Sequence, residues 1–133
     1  MKLITVLAAF MLAASPVFAT HHEGVSFKSP MDGAVVAQKF KVRFAVKGKK
    51  VRPAGEDPAD KKSGHHHLIV DGSFVPEGQV VPTDETHLHF GKGQTETELK
   101  LAPGKHTLTL QLADGAHLSY GEAFSKTISV TVK

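Results

Sequence analysis

Gln38-Lys39-Phe40-Lys41-Val42-Arg43-Phe44-Ala45-Val46 places apolar residues at every second position and mostly basic ones between them. Successive side chains of a strand point to opposite faces, so the stretch predicts a β-strand with Phe40, Val42, Phe44 and Val46 turned inward. The same period runs outward from it. Val25 and Phe27 suggest a first strand, ended by the turn composition Ser29-Pro30-Met31-Asp32-Gly33. Downstream lies a long loop, Lys47 to Gly64, of the kind that serves function or mobility in a small domain. Thr95 to Leu101 alternates again, Ala102-Pro103-Gly104-Lys105 turns, and His106, Leu108, Leu110 and Leu112 share one face. Ile128, Val130 and Val132 close the pattern. No stretch beyond residue 19 keeps a helical period for two turns. About seven short strands with regular turn signals predict an all-β fold, an antiparallel immunoglobulin-like β-sandwich.

Two of the strands carry histidines. Gly64-His65-His66-His67-Leu68-Ile69-Val70 and Thr86-His87-Leu88-His89-Phe90 hold five of the nine histidines, each run containing His-x-His. Residues i and i+2 of a strand lie about 6.6 Å apart on one face, close enough for two imidazoles to share an ion. Leu88 and Phe90 claim the core, which turns His87 and His89 to the opposite face. In the first run both faces are partly apolar, as expected of a central strand. Face parity then groups His65 and His67 with His87 and His89 as metal ligands, provided the two strands are neighbours, and leaves His66 pointing inward. His117, in the loop Asp114-Gly115-Ala116-His117, is a further candidate ligand. His106 reads as a core-edge histidine bonded to backbone, and Asp71, Asp84 and Asp114 as carboxylates that fix an imidazole tautomer.

The donor set limits the ion. The chain has no cysteine, and Met31 is the only methionine after residue 19, which excludes thiolate centres and a methionine-rich Cu(I) site. Three or four neutral imidazoles suit Cu(II) first, and zinc or nickel after it, rather than calcium or magnesium.

Residues 1–19 have the form of a cleaved secretory signal. Lys2 supplies the positive end, Leu3 to Ala14 an apolar run, and Val17-Phe18-Ala19 the small-residue cleavage site. The expectation is one β-sandwich domain over residues 20–133, periplasmic or secreted, with no membrane insertion after cleavage. The new amino terminus, Thr20-His21-His22, places a histidine third, where the amine, two backbone nitrogens and an imidazole form a square-planar chelate. His21 and His22 therefore define a secondary site.

A net charge of +3 calls for no nucleic-acid partner. Lys39, Lys41 and Arg43 read as the solvated face of a strand, and Lys47, Lys49, Lys50 and Arg52 as a charged loop. Gly91-Lys92-Gly93-Gln94-Thr95 is not a phosphate loop, which places Gly-Lys-Ser/Thr after a second glycine and opens a helix whereas a strand follows here, and no Gly-x-Ser-x-Gly elbow or cysteine nucleophile exists.

Three motifs carry a resemblance: Gly64-His65-His66-His67-Leu68-Ile69-Val70-Asp71; His87-Leu88-His89-Phe90-Gly91-Lys92-Gly93-Gln94-Thr95-Glu96; and Leu101-Ala102-Pro103-Gly104-Lys105-His106-Thr107-Leu108. Through them the chain resembles a family of small exported bacterial domains of unknown function, the DUF4399 type, over roughly Val25 to Val132. The resemblance implies an exported one-domain β protein built around these histidine motifs, with an Asp-x-x-His element matched by Asp114 and His117, and no established chemistry. The histidine-bearing amino terminus departs from that pattern.

Three functions compete on this reading. The first is a periplasmic protein that binds copper or zinc in sequestration, delivery or tolerance, with a periplasmic metal-trafficking partner. The second is a copper or zinc oxidoreductase or hydrolase using the same imidazoles with an open coordination position. The third is a structural or protein-interaction module whose histidines hold no metal.

Overall fold

The computed structural model describes Ala9, residues 11–15 and residues 22–133. The proposed cleavage point at Ala19 lies outside the described residues, as do Thr20 and His21 of the amino-terminal chelate.

Alternation becomes sheet wherever the sequence predicts it. The strands are β1 (Gly24–Ser29), β2 (Ala34–Val36), β3 (Lys39–Lys47), β4 (Lys50–Val51), β5 (Ser63–Val70), β6 (His87–His89), β7 (Glu96–Lys100), β8 (Gly104–Ala113) and β9 (Ser125–Val132). One sheet has the order β1-β3-β7 and the other β2-β9-β8-β5-β4, with β6 also paired to β5. Pairing is antiparallel except for β2 on β9 and β4 on β5. β1, β3 and β7 packed against β9, β8 and β5, with crossovers between sheets, is the immunoglobulin-like arrangement. The short strands β2 and β4 carry no alternation of their own and were not legible as strands.

The core lies where the parities meet. Val42 and Phe44 of β3 pack with Leu68 of β5 and with Leu108, Leu110 and Leu112 of β8, all essentially inaccessible to water. On the other face of β3, Lys39 pairs with Glu98, and Lys41 and Arg43 with Glu96, across the register with β7. Such exposed pairs are worth about 0–1 kcal/mol each and mark a solvated face.

β5 is buried along its whole length, on both faces. Its inner face, His66, Leu68 and Val70, belongs to the sandwich core, and the His66 ring meets the Phe44 ring at 4.7 Å between centroids. Its outer face, His65, His67 and Ile69, aligns with Ala113, Gln111 and Thr109 of β8. Loops roof this outer face. Thr109 Oγ1 donates to Gly72 O, Val75 N–H donates to Gln111 Oε1, and Ser119 Oγ donates to Val75 O. The histidines therefore occupy a second, smaller interior on the outside of the sheet.

Candidate metal centre

β5 and β6 are neighbours, which is the condition the parity argument required. His67 lies opposite His89, Leu68 opposite Leu88 and Ile69 opposite His87. Directly opposed residues of an antiparallel pair point the same way, so His89 joins His65 and His67 on the outer face. The register also decides the fate of His87. Two register positions further along, it faces Ile69, and its Nδ1 donates to Asp84 Oδ1 at 2.9 Å. The structure does not bring His87 into the cluster.

The fourth imidazole comes from the loop after β8. Asp114 is buried, and its Oδ1 accepts the N–H groups of Ala116 and Leu118, while His117 N–H donates to Asp114 O. This tight turn holds His117 at φ +66°, a conformation in which non-glycine residues are uncommon. It brings His117 Nδ1 to 3.2 Å from His65 Nε2, and His67 Nε2 lies 3.0 Å from the same atom. One ligand nitrogen from each of His65, His67, His89 and His117 falls within 4.8 Å of every other. A tetrahedral zinc ion with Zn–N bonds near 2.05 Å sets its nitrogens about 3.3 Å apart, close to the 3.2 and 3.0 Å between His65 Nε2 and the His117 and His67 nitrogens.

Two glycines make room. A Cβ on Gly91 would overlap the edge of the His89 ring, and one on Gly115 would stand 2.9 Å from Pro58 Cα. The segment from Arg52 to Lys62 passes between these points. Ala54 N–H donates to Gly91 O, Gly55 N–H donates to Gly115 O, and Lys61 Nζ donates to Asp114 Oδ2. One loop thus ties the end of β6 to the turn that carries His117.

Burial sets the electrostatics. His65 and His67 are fully buried, His89 and His117 partly so. Burial first, and then the neighbouring imidazoles His117 and His89, lower the His65 pKa to about 4; Asp114 opposes this weakly. Burial, and then His65, His89 and His117, lower that of His67 to about 2. His89 is lowered as well, by burial and then by His117. These rings are neutral at neutral pH, the form that ligates metal. His65 Nδ1, His67 Nδ1 and His89 Nε2 are buried without a hydrogen-bond partner in the chain. His65 Nε2 faces two other ring nitrogens with at most one proton to share, whereas an ion between the rings engages all four lone pairs. Among the described residues no carboxylate joins this group, so a bound ion would have nitrogen ligands only.

The remaining sequence-predicted residues serve elsewhere. Asp84 holds His87, and Asp71 holds His106, whose other nitrogen donates to Ala102 O. Asp114 builds the His117 turn and bonds no imidazole. Burial works to raise its pKa, but Lys61 and the two turn N–H groups outweigh this and hold it below the ordinary value. His22 is exposed. The supporting roles of Gly91 and Lys61 had no signal in the sequence, since a glycine after a strand reads as a turn and a loop lysine as solvated.

No match was found among curated proteins. The fibronectin(III)-like modules of Clostridium thermocellum CbhA are a similar solved structure, 13% identical with a TM-score of 0.47, covering 82% of this chain and 96% of that one. The family model of a domain of unknown function, DUF4399, matches residues 42–133, a span that holds His65, His67, His89 and His117, and the chain belongs to that family.

Proposed function

We propose that this chain is an exported metal-binding protein whose His65, His67, His89 and His117 hold one copper(II) or zinc ion for sequestration, delivery or tolerance. The observation that carries the reading is the convergence of four imidazoles from β5, β6 and the β8–β9 loop on one point beneath the roof of the sheet. Binding is favoured over catalysis because four protein ligands complete a tetrahedral shell, whereas catalytic zinc keeps one position open. Export rests on the signal-like residues 1–19, and cleavage after Ala19 would add the lesser chelate at Thr20-His21-His22. In this reading a trafficking partner of the same compartment supplies or receives the ion.

Metal analysis of untagged mature protein purified from the export compartment tests the proposal. In a background carrying His21→Ala and His22→Ala, which removes the amino-terminal chelate, one equivalent of metal is expected, and it is lost when His65→Ala, His67→Ala, His89→Ala and His117→Ala are added. A folded quadruple variant that binds Cu(II) and Zn(II) as tightly as the parent would overturn it.

A further inference from the structure

The four rings have a shape as well as a location, and the shape distinguishes between ions. Four ligands in a square have two separations about 1.4 times the other four, while four at the corners of a tetrahedron have six equal separations. Among the cluster's ring centroids, His65–His67 measures 4.8 Å, His65–His89 and His67–His89 each 5.0 Å, and His65–His117 and His89–His117 each 4.9 Å. The sixth separation, His67–His117, is 6.0 Å. Only one separation is long, at about 1.2 times the rest, where a square needs two at about 1.4 times, so the rings are folded out of plane toward a tetrahedron.

Resting on the metal-binding reading above, we infer that the cluster is a closed tetrahedral cage for a d10 ion, zinc(II), and disfavours Cu(II) and Ni(II), which prefer square-planar or tetragonal shells. The backbone enforces the shape. His65 and His67 are fixed on β5, and His89 is fixed opposite His67 by the β5–β6 register and seated over Gly91. His117 caps the triangle from a turn whose geometry is set by buried Asp114. Moving the His117 turn away from β5 would break the Gly55 to Gly115 and Lys61 to Asp114 bonds, which leaves side-chain rotation as the one route to a flatter set. With two ligands wholly buried and no carboxylate in the group, nothing in the cage supplies the in-plane oxygen donors that tetragonal ions also accept. The usual order of affinities places Cu(II) above Zn(II) at an adaptable imidazole site, and a rigid tetrahedral cage closes or reverses that gap.

The test uses the full mature chain carrying His21→Ala and His22→Ala, which removes the amino-terminal chelate and leaves the cage intact. Cobalt(II), the spectroscopic stand-in for zinc, is titrated first. One equivalent is expected to give the intense visible bands of a tetrahedral centre and to be displaced by one equivalent of Zn(II). Zn(II) and Cu(II) are then competed at equal concentration, where zinc is expected to occupy at least about half of the sites, and any Cu(II) that enters gives the reduced parallel hyperfine splitting of a distorted tetrahedron. Weak cobalt bands, or Cu(II) with an ordinary tetragonal spectrum that excludes zinc, would overturn the cage while leaving metal binding in place. Failure to bind any of the three ions would instead overturn the metal-binding reading itself.

Discussion

His67 and His89 are register partners across β5 and β6, their ring centroids 5.0 Å apart on the outer face of the sheet. The next pair on that face is Ile69 and His87, two residues along, so the same register that places His89 in the cluster places His87 beyond it. Single replacement of His65, His67, His89 or His117 by alanine is expected to weaken metal binding by at least about 100-fold, above the 10–100-fold typical of losing a supporting group. His87→Ala is expected to keep the affinity within a few-fold. Competition against a chromophoric chelator measures both, and an equal loss at His87 would show that the pairing is misassigned.

Gly91→Ala separates positioning from ligation. The φ of Gly91 lies outside the left-handed region, so alanine strains no backbone there, yet its Cβ overlaps the His89 ring. The variant is expected to lose at least about 10-fold in metal affinity. Its unfolding free energy should fall by about 1–3 kcal/mol, the range for an overpacked site. Unchanged affinity would mean that His89 has another rotamer equally able to reach the ion.

The metal-free protein should weaken in mild acid. An unfolded imidazole titrates near 6.5, whereas folded His65 and His66 are lowered to about 4 and folded His67 to about 2. Between these values the unfolded chain takes up protons that the folded chain refuses. Stability from these groups is therefore complete above about pH 6.5 and falls as the pH drops toward 4 and then 2. His106 runs the other way. Its bonds to Asp71 and then to Ala102 O raise its pKa, so its contribution is full below about pH 6.5 and fades as the pH rises through the folded value. Urea midpoints of chelator-treated protein from pH 4 to 8 check the sum, and a flat profile would contradict the burial of the three strand histidines.

His66 should be dispensable for metal and costly for stability. Both of its ring nitrogens are buried without a partner, and burial lowers its pKa to about 4. His66→Leu, close in volume, removes the unsatisfied groups and is expected to stabilise the fold by about 1–3 kcal/mol, with metal affinity unchanged. Calorimetry of the metal-free variant checks this, and destabilisation would mean that the ring has a polar role in the core.

Asp114→Ala tests the turn. It strips the acceptor from two N–H groups in a buried position and removes the Lys61 contact. A loss of about 2–4 kcal/mol is expected from groups of this kind. Metal affinity should fall with it, because His117 loses its support. Asp84→Ala, which releases Thr86 and His87 but none of the four cluster rings, should leave affinity alone.

Parity was legible in the sequence because burial enforces it. Phe40 to Val46 and Leu108 to Leu112 alternate because one face of each strand meets the other sheet, and that logic also separated His66 from His65 and His67. Parity has no origin along the strand, however. It groups His87 with His89 as readily as His89 with His67, and only the register, set by turns and packing around β6, tells them apart. The role of Asp114 is hidden from the sequence for a related reason. A carboxylate near a histidine in sequence reads as its partner, whereas this one is consumed by the N–H groups of its own turn. The span from Arg52 to Lys62 had no periodicity to read, since its order comes from bonds to Gly91, Gly115 and Asp114, distant in the chain.

That span has a kinetic meaning. It is bonded at Ala54 to the strand end beside His89 and at Gly55 to the turn beside His117, so the backbone that carries either ligand cannot move away without breaking those bonds. For an ion seated among the four rings, local opening of the loop would then speed escape beyond what exchange of one imidazole for water allows. Residence time and affinity become separately adjustable: substitutions in the loop would set how long the ion stays, and substitutions in the rings how tightly it is held.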